Sequence, residues 1–209
     1  IGHEKGLIKA IMNSGGIKIQ HFGPNENNIK SLSSEFVLSM LNDPIQPQKY
    51  LWIGTKGGGL NHLDKEAGIF KVFKTDQGLP NNTIYAILAD KNNHLWMSTN
   101  RGISKFDTEK ENFQNYTVED GLQGNEFNIN SHFGAVDGEL IFGGANGLNR
   151  FYPEQLPLSV QVPNIYLISL KIKNEAIRFQ DGSQILKQPI QYANEIELLH
   201  QQNMVTIEF

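Results

Sequence analysis

The stretch LWIGT at residues 51–55 decides the fold, because similar stretches recur twice further along the chain. The second is LWMST at 95–99 and the third, less well kept, is LIFGG at 140–144. The first residues of these stretches are 44 and then 45 residues apart. A repeat of this length is typical of one four-stranded blade of a β-propeller.

The residues around each repeat predict four short strands with turns between them. In the clearest unit, strands are expected at 83–89, 95–99, 103–106 and 112–116. Turn-forming residues such as Asn, Asp and Gly lie between these strands, which is the pattern of a meander. The apolar residues of 83–89 fall on both faces of the strand, which indicates a sheet covered on both sides. Blades stacked around an axis explain this distribution of apolar residues better than a sandwich in which each sheet has one solvent-exposed face.

The phase of the repeat predicts that the chain holds one arc of a propeller. Two complete blades are expected at about 32–74 and 79–117, and a third at about 122–152 meets prolines instead of a fourth strand. Residues 6–11 and 17–22 match only third and fourth strands. Our hypothesis is that this is the last arc of a larger propeller. The missing outer strand of its final blade would come from the distant N-terminus of a parent chain.

A different pattern follows Pro163. Strands are predicted at 166–172, 195–199 and 204–209, which is typical of the first half of an antiparallel sandwich. The expected fold class is all-β: a partial β-propeller of about three blades of four-stranded antiparallel sheet, followed by part of an Ig-like β-sandwich. We place the domain boundary between residues 157 and 158.

Composition excludes several kinds of function. The 209 residues carry a net charge of −4, which gives no basic field for nucleic acid. There is no cysteine, so disulfides, thiolate catalysis and cysteine-bound metals are excluded. No apolar run of membrane-spanning length and no signal-peptide pattern occurs. Both would also be lacking in a piece of a longer protein.

Most residues that could bind a ligand or catalyse a reaction are better explained by a structural role. Trp52 and Trp96 could stack on a sugar, but their place in mid-strand favours packing between blades. The six histidines show no metal-ligand spacing, and the aspartates recur with the repeat as turn formers do. We therefore predict no metal, no cofactor and no catalytic residue. A pair of carboxylates for glycoside hydrolysis cannot be established from the sequence alone.

Turn residues are the better candidates for ligand binding. In a propeller, the turns between second and third strands share one end with the connections between blades. Amide, ammonium and guanidinium groups there suit sugar hydroxyls or carboxylates. The alternative is that they are ordinary solvated turn residues, since Asn is a good turn former. The candidates are Lys56, Asn100, Arg101, Asn125 and Asn146.

These motifs together resemble a known family. LWIGT, then GGLN at 58–61, FKVF at 70–73 and GLPNN at 78–82, is similar to the two-component regulator propeller repeat. The last unit, with GLQGNEFN at 121–128 and FGGANGLN at 142–149, resembles the closing repeat of that family. Residues from about 160 resemble the start of the Ig-like three-tyrosine (Y_Y_Y) domain.

The resemblance implies a periplasmic sensor of a bacterial hybrid two-component system, common in polysaccharide-degrading species. It implies an oligosaccharide ligand, and an Ig-like domain that relays the signal to a membrane-linked histidine kinase elsewhere in the parent chain. Two alternatives stay open: a propeller lyase or hydrolase, and a docking propeller without a small ligand. In isolation this piece would expose blade faces, so we expect the isolated piece to self-associate. The remaining blades of the parent chain are a further expected partner.

Overall fold

The computed structural model describes residues 1–156, 166–183, 185–193 and 195–209. Within them the chain divides into two compact units, Ile1–Leu156 and Pro157–Phe209. The predicted domain boundary lies among residues 157–165, outside the described part, and stays a prediction. The helices in the described residues are single 3-10 turns, and none could span a membrane. They are Thr75–Gln77, Val118–Asp120, Pro153–Gln155 and Ile190–Tyr192.

The first unit consists of four antiparallel sheets that follow one another along the chain. The first sheet contains β1 (Gly2–His3), β2 (Gly6–Asn13) and β3 (Gly16–Phe22). The second contains β4 (Val37–Asn42), β5 (Tyr50–Thr55), β6 (Leu60–Asp64) and β7 (Ile69–Phe73). The third contains β8 (Ile84–Ala89), β9 (Leu95–Thr99), β10 (Gly102–Asp107) and β11 (Asn112–Tyr116). The fourth contains β12 (Phe127–Gly134), β13 (Leu140–Gly144) and β14 (Gly147–Phe151).

The three similar stretches form β5, β9 and β13, each the second strand of a different sheet. Strands pair in chain order within every one of these sheets, so each sheet is a simple meander. The prediction that the repeats are separate sheets is therefore confirmed, and so is the all-β, partial-propeller fold class. In the third sheet the predicted strands agree with the observed ones to within a residue at each end.

The first sheet differs from its prediction, because it holds a third strand. Gly2 pairs with Leu7 and His3 pairs with Gly6, which makes β1 the partner of β2. A strand of two residues carries no periodicity, so the sequence pattern could not reveal it.

The second, third and fourth sheets meet through their first strands, since β4 contacts β8 and β8 contacts β12. In the first sheet the contact with β4 comes from β1, which precedes the turn glycine Gly6 and so holds the place of a second strand. Each of β4, β8 and β12 has a register irregularity near its start, between Val37 and Ser39, between Ile84 and Ala86, and across 127–132. Bulges bend a strand and increase its twist. The first strands can therefore lie side by side, as the inner strands of propeller blades do.

Side chains of the second strands alternate between the two neighbouring sheets. In β5, Leu51 and Ile53 pack with residues of the first sheet, whereas Trp52 packs with residues of the third. The strand β9 repeats this alternation with Leu95, Trp96 and Met97. Both faces of the second and third sheets are consequently buried, which explains why the sequence lacks strict polar–apolar alternation.

Each buried tryptophan has its one polar group satisfied by an aspartate. Trp52 Nε1 donates a hydrogen bond to Asp43 Oδ2 at 2.8 Å, and Trp96 Nε1 donates to Asp90 Oδ2 at 2.9 Å. Both aspartates lie in the connection between the first and second strands of their sheet. An indole N–H left unpaired in a core would be costly. The predicted packing role of the tryptophans is confirmed.

His62 completes the packing around Trp52. Its ring stacks on the indole with centroids 3.9 Å apart and planes 13° apart. Burial lowers the pKa of the His62 imidazole, and the carboxylate of Asp43, 3.5 Å from Nε2, opposes that shift. The lowered pKa favours the neutral ring at pH 7, so it can stack without a charge being buried.

The second unit contains one three-stranded antiparallel sheet in its described residues. Its strands are β15 (Ser169–Ile172), β16 (Glu175–Ile177) and β17 (Val205–Glu208), with β15 in the centre. Leu170 packs beneath the sheet with Leu186 and Ile190. That this sheet begins an Ig-like sandwich stays a prediction.

The strand predicted at 195–199 is wrong, because that segment is irregular. Ile196 packs against the apolar cluster of the second unit, while Glu197 forms an ion pair with Lys187 at 3.3 Å. These two contacts account for the alternating pattern, and neither requires a neighbouring strand.

Gly54 sits where three strands come close together. A Cβ atom at this position would lie 2.3 Å from Ser39 Oγ and 2.7 Å from Ile84 Cγ2. Ser39 belongs to β4 of the same sheet and Ile84 to β8 of the next. The missing side chain therefore permits the close approach of the second and third sheets.

We expect Gly54→Ala to lower the free energy of unfolding by about 1–3 kcal/mol, because overpacking forces neighbouring atoms apart. Urea denaturation followed by tryptophan fluorescence measures this. Gly23→Ala is the matched control, since a Cβ there meets nothing within 4 Å. Equal stability of both variants would show that the sheets do not approach as described.

Candidate functional site

The candidate site is the end of the first unit that we call the loop end. It carries the connections between sheets, at residues 23–36, 74–83 and 117–126. It also carries the turns between second and third strands, at 56–59, 100–101 and 145–146. All lie at one end because a four-strand meander returns to its starting end after its second and fourth strands. Loops held by a rigid scaffold are where binding residues concentrate.

In three sheets a glycine ties the turn to the next connection, and in the first of them Gly6 N–H donates to the backbone oxygen of Glu35 at 2.6 Å. Gly59 N–H donates to the backbone oxygen of Asn82 at 2.8 Å, and Gly102 N–H donates to that of Asn125 at 2.7 Å. Both glycines have positive φ, of 83° and 91°. A Cβ at Gly102 would lie 1.9 Å from the oxygen of Tyr116. Only glycine fits, and the loop end becomes a continuous hydrogen-bonded rim.

The structure places all five predicted residues on this rim. Lys56 lies in the turn of the second sheet, with Nζ 5.7 Å from the centre of the Phe36 ring. Asn100 lies in the turn of the third sheet, and its Oδ1 accepts a hydrogen bond from the Tyr85 hydroxyl at 2.7 Å. That bond orients the amide and leaves its NH₂ group without a described partner. Arg101 is exposed, and its guanidinium forms no hydrogen bond or ion pair with the described residues.

Asn125 has a structural task as well. Its Oδ1 accepts a hydrogen bond from Val118 N–H at 3.0 Å, which closes the connection 117–126. Asn82 does the same in the preceding connection, accepting from Thr75 N–H at 3.0 Å. The recurrence shows that this amide closes the loop. Asn125 is therefore the weakest of the five candidates for ligand binding. Asn146 is exposed and uses only its backbone N–H, toward Gln123 Oε1 at 2.7 Å.

Sequence reasoning missed a cavity at the loop end. It has a volume of about 330 Å³, within the range of small-ligand pockets. None of the five predicted residues lines it. The only sequence signal was the turn-rich run GPNENN at 23–28, which carries no motif. The walls come from the first connection and from the end of the second sheet, and include Pro24, Asn25, Glu26, Ile29, Leu32 and Lys74.

Asparagines that hold the connections in place were also missed. Asn61 accepts a hydrogen bond from Ser33 N–H at 3.0 Å and donates to Ser33 Oγ at 2.8 Å. Asn149, at the equivalent place in the fourth sheet, accepts from Gln123 N–H at 3.0 Å. Both belong to the recurring sequence Gly-Leu-Asn, which the resemblance included without giving a role to its Asn. These amides position the loop end on the sheets beneath it.

The aspartates act as predicted, as turn formers. Asp64 Oδ1 accepts hydrogen bonds from two backbone N–H groups of its turn, both at 2.9 Å. Asp107 does so in the next sheet, at 3.0 Å and 3.0 Å. These bonds lower the pKa of both carboxyl groups. In the part of the chain that the structure describes, no group of three potential ligands could hold a metal ion.

The start of β12 differs from its counterparts. One extra residue interrupts the pairing of each earlier first strand with its second strand: Leu38 in β4 and Tyr85 in β8. In β12 the interruption covers 128–131, and Asn130 adopts a positive φ of 58°. A wide bulge beside a candidate site re-aims side chains. The loop end is therefore most irregular at the fourth sheet.

The comparisons with known proteins bear on this arrangement. Residues 78–101 match the family described as the two component regulator propeller. The matched stretch runs from the connection before β8 to the turn after β9, and so includes one of the two tryptophan strands.

One curated relative and two solved structures are similar over most of the chain. A protein named histidine kinase P4, from Formosa agariphila, is 30% identical over 155 residues, 74% of this chain and 11% of that protein. The extracellular domain of a B. thetaiotaomicron protein, BT4673, described as a hybrid two component system, has a TM-score of 0.55 at 16% identity, covering 91% of this chain and 36% of that one. A second structure of that domain, described as part of a one component system, has a TM-score of 0.55 at 15% identity, with coverages of 95% and 38%.

These similarities show the fold and differ in how much of each protein they cover. The two structures share the arrangement of sheets with this chain. The chain spans about a tenth of the length of the histidine kinase and little more than a third of each solved domain.

We expect Asn61→Ala to destabilise the first unit by about 2–4 kcal/mol, since it opens a cavity and leaves Ser33 N–H without its partner. Asn146→Ala, at an exposed place on the same rim, should change stability by less than about 0.5 kcal/mol. Urea denaturation of both variants measures the difference. A loss for Asn61→Ala as small as that for Asn146→Ala would rule out its holding role.

Proposed function

We propose that this chain is the extracytoplasmic, ligand-sensing part of a hybrid two-component sensor histidine kinase. The observation that carries the proposal is the propeller family match at 78–101, within sheets whose loop end is built as a rigid rim. The relative named as a histidine kinase supports it, at 30% identity. The proposed location is the periplasm, as the outer part of an inner-membrane protein.

The proposed ligand is an oligosaccharide bound at the loop end. Lys56, Arg101 and Asn146 present polar side-chain groups there that form no hydrogen bond or ion pair with the described residues. The NH₂ group of Asn100 adds a donor already oriented by Tyr85. Ammonium, guanidinium and amide groups match the hydroxyls and carboxylates of sugars. The cavity walled by the first connection offers a concave surface on the same end.

The proposed mechanism is a shift of populations. A ligand that binds one arrangement of the sensor more tightly than another favours that arrangement, and by no more than the difference in affinity. We propose that the second unit, as part of an Ig-like three-tyrosine domain, relays the change to a kinase in the same longer protein. This segment itself would carry out no catalysis. The proposal also includes self-association of this segment when it is isolated, through sheet faces that are then exposed.

Thermal unfolding of the chain with a panel of neutral and uronic-acid-containing oligosaccharides tests the proposal. A ligand at 100 times its Kd stabilises the folded state by about 2.7 kcal/mol, which raises Tm. Arg101→Ala and Lys56→Ala should abolish the rise without changing Tm in buffer. Lys110→Ala is the matched control, since this exposed lysine lies in a turn at the opposite end.

The outcomes separate the alternatives. A rise in Tm that persists in Arg101→Ala and Lys56→Ala would place the site elsewhere. Cleavage of a bound sugar, detected by chromatography of the mixture, would make the protein an enzyme. No rise with any sugar would contradict sugar sensing and favour a docking propeller.

A further inference from the structure

The three connections between the sheets of the first unit end in the same way. The turn glycine of one sheet donates its N–H to a residue near the end of the connection, and a leucine lies three residues before that acceptor. The acceptors are Glu35, Asn82 and Asn125, and the leucines are Leu32, Leu79 and Leu122. The three connections can therefore be compared residue by residue.

Ahead of this leucine, the second and third connections are closed. In the second, Thr75–Gln77 forms a 3-10 turn, and Asn82 Oδ1 accepts a hydrogen bond from Thr75 N–H at 3.0 Å. The outer strand β11 also reaches this connection, because Asn115 Nδ2 donates to the backbone oxygen of Gly78 at 2.9 Å. The third connection has the same turn and the same closing bond.

The first connection differs at each of these points. It spans residues 23–36, which makes fourteen residues against ten in each of the other two, and none of them forms a 3-10 turn. Glu35 takes the place of the closing asparagine. Val72 of β7 takes the place that Asn115 has in β11, and its side chain cannot donate a hydrogen bond. The first connection is consequently open, and the cavity of about 330 Å³ lies between it and the end of β7.

Hydrogen bonds hold the first connection in this open form. Asn25 N–H donates to Ser31 Oγ at 2.9 Å, and Ser31 Oγ donates to the backbone oxygen of Asn25 at 3.3 Å. The backbone oxygen of Lys30 accepts from Phe70 N–H of β7 at 2.9 Å. The described walls of the cavity belong to residues 24–33, 72 and 74, so neither outermost sheet face contributes to it. The cavity is therefore preformed, which lowers the cost of binding.

The walls combine apolar surface with polar groups of both kinds. Leu32, which is 1% exposed, and Val72 supply apolar surface. The exposed carboxylate of Glu26 and the exposed ammonium group of Lys74 also line the cavity, and neither forms an ion pair with the described residues. Asn28 Oδ1 accepts a backbone N–H of its own turn at 3.0 Å, which orients the amide so that its NH₂ group is a donor. The cavity thus offers donors and an acceptor, and its two charges cancel.

A neutral sugar residue matches this combination. A pyranose ring has apolar C–H faces, and its hydroxyl groups both donate and accept hydrogen bonds. A uronate would bring a second carboxylate close to Glu26, where like charges repel. The volume lies near the lower end of the range for ligand pockets, which suits one or two sugar residues. Resting on the sugar binding proposed above, we infer that this cavity is a subsite for a neutral sugar residue of the oligosaccharide.

The subsite adjoins the rim at Lys56. Ser33 lines the cavity, and Oγ of the next residue, Ser34, donates to the backbone oxygen of Lys56 at 2.9 Å. A Cβ at Gly58, in the same turn as Lys56, would lie 2.4 Å from Ser33 Oγ. A sugar chain with one residue in the cavity can therefore continue over the turn 56–59. The cavity selects a neutral residue, while the cationic groups of the rim suit carboxylates elsewhere in the chain.

Isothermal titration calorimetry with neutral and acidic trisaccharides tests the inference. The probes are trisaccharides of glucose, xylose, mannose and galactose, and trigalacturonate. We expect at least one neutral probe to bind, and Glu26→Ala to weaken its binding about tenfold or more, because sugar hydroxyls lose a charged acceptor. Trigalacturonate should bind Glu26→Ala no more weakly than it binds the unmodified chain. Asp76→Ala is the matched control, since this exposed carboxylate belongs to the closed second connection.

Closing the first connection tests the cavity itself. Residues 23–31 are replaced by the sequence KTDQG of 74–78, and Glu35→Asn supplies the closing amide. We expect this variant to lose binding of the neutral probe, while its Tm in buffer shows that it folds.

Each outcome decides a different point. Neutral probes that bind Glu26→Ala and the closed variant as tightly as the unmodified chain would overturn the subsite and leave the rim as the sugar site. Equal losses in Glu26→Ala and Asp76→Ala would contradict a contact within the cavity. Binding of trigalacturonate alone would overturn the inference while sugar sensing stands. No binding of any probe would overturn the inference together with sugar sensing.

Discussion

The burial of each tryptophan strand between two other sheets is the constraint on which the rest of the structure depends. Trp52 and Trp96 each occupy the middle of a second strand and pack into the following sheet, while the residues beside them pack into the preceding one. Such a ring can be buried only if its N–H finds a partner, and Asp43 and Asp90 supply it. Because adjacent residues of one strand serve two interfaces, no sheet can be removed without exposing the core of its neighbours.

This packing of the sheets fixes the positions of the turns and connections at the loop end. Once the sheets are fixed, the turn glycines bring each turn within hydrogen-bonding distance of the next connection. Asn61 and Asn149 then fasten the connections to the strands below. Lys56 and Arg101 lie on this rim, and their charged groups form no hydrogen bond or ion pair with the described residues. A surface of varied polar side chains on a preorganised frame suits recognition, because little ordering of the frame remains to oppose binding.

The sequence predicted the fold well where a residue pattern had a single physical cause. The spacing of the three similar stretches indicated repeated sheets, and the lack of strict alternation indicated burial on both faces. Prediction failed where a pattern had two causes or none. Residues 195–199 alternate because of one apolar contact and one ion pair, and β1 is too short to alternate at all. At the candidate site, the turns were placed correctly. The cavity was missed because it depends on contacts between distant segments, and the bond from Val118 N–H to Asn125 depends on the conformation of the connection that contains both residues.

A double-mutant cycle tests the order of the sheets most directly. Trp52 and Phe106 lie in adjacent sheets with their rings in contact, whereas Phe142 is equally buried one sheet further on. With each residue replaced by Leu and stability measured in urea, the pair Trp52 and Phe106 should show a coupling energy of about 0.5–1.5 kcal/mol. Trp52 and Phe142 should be additive within about 0.5 kcal/mol. Coupling of Trp52 to Phe142 but not to Phe106 would contradict the stacking of sheets on which every conclusion here depends.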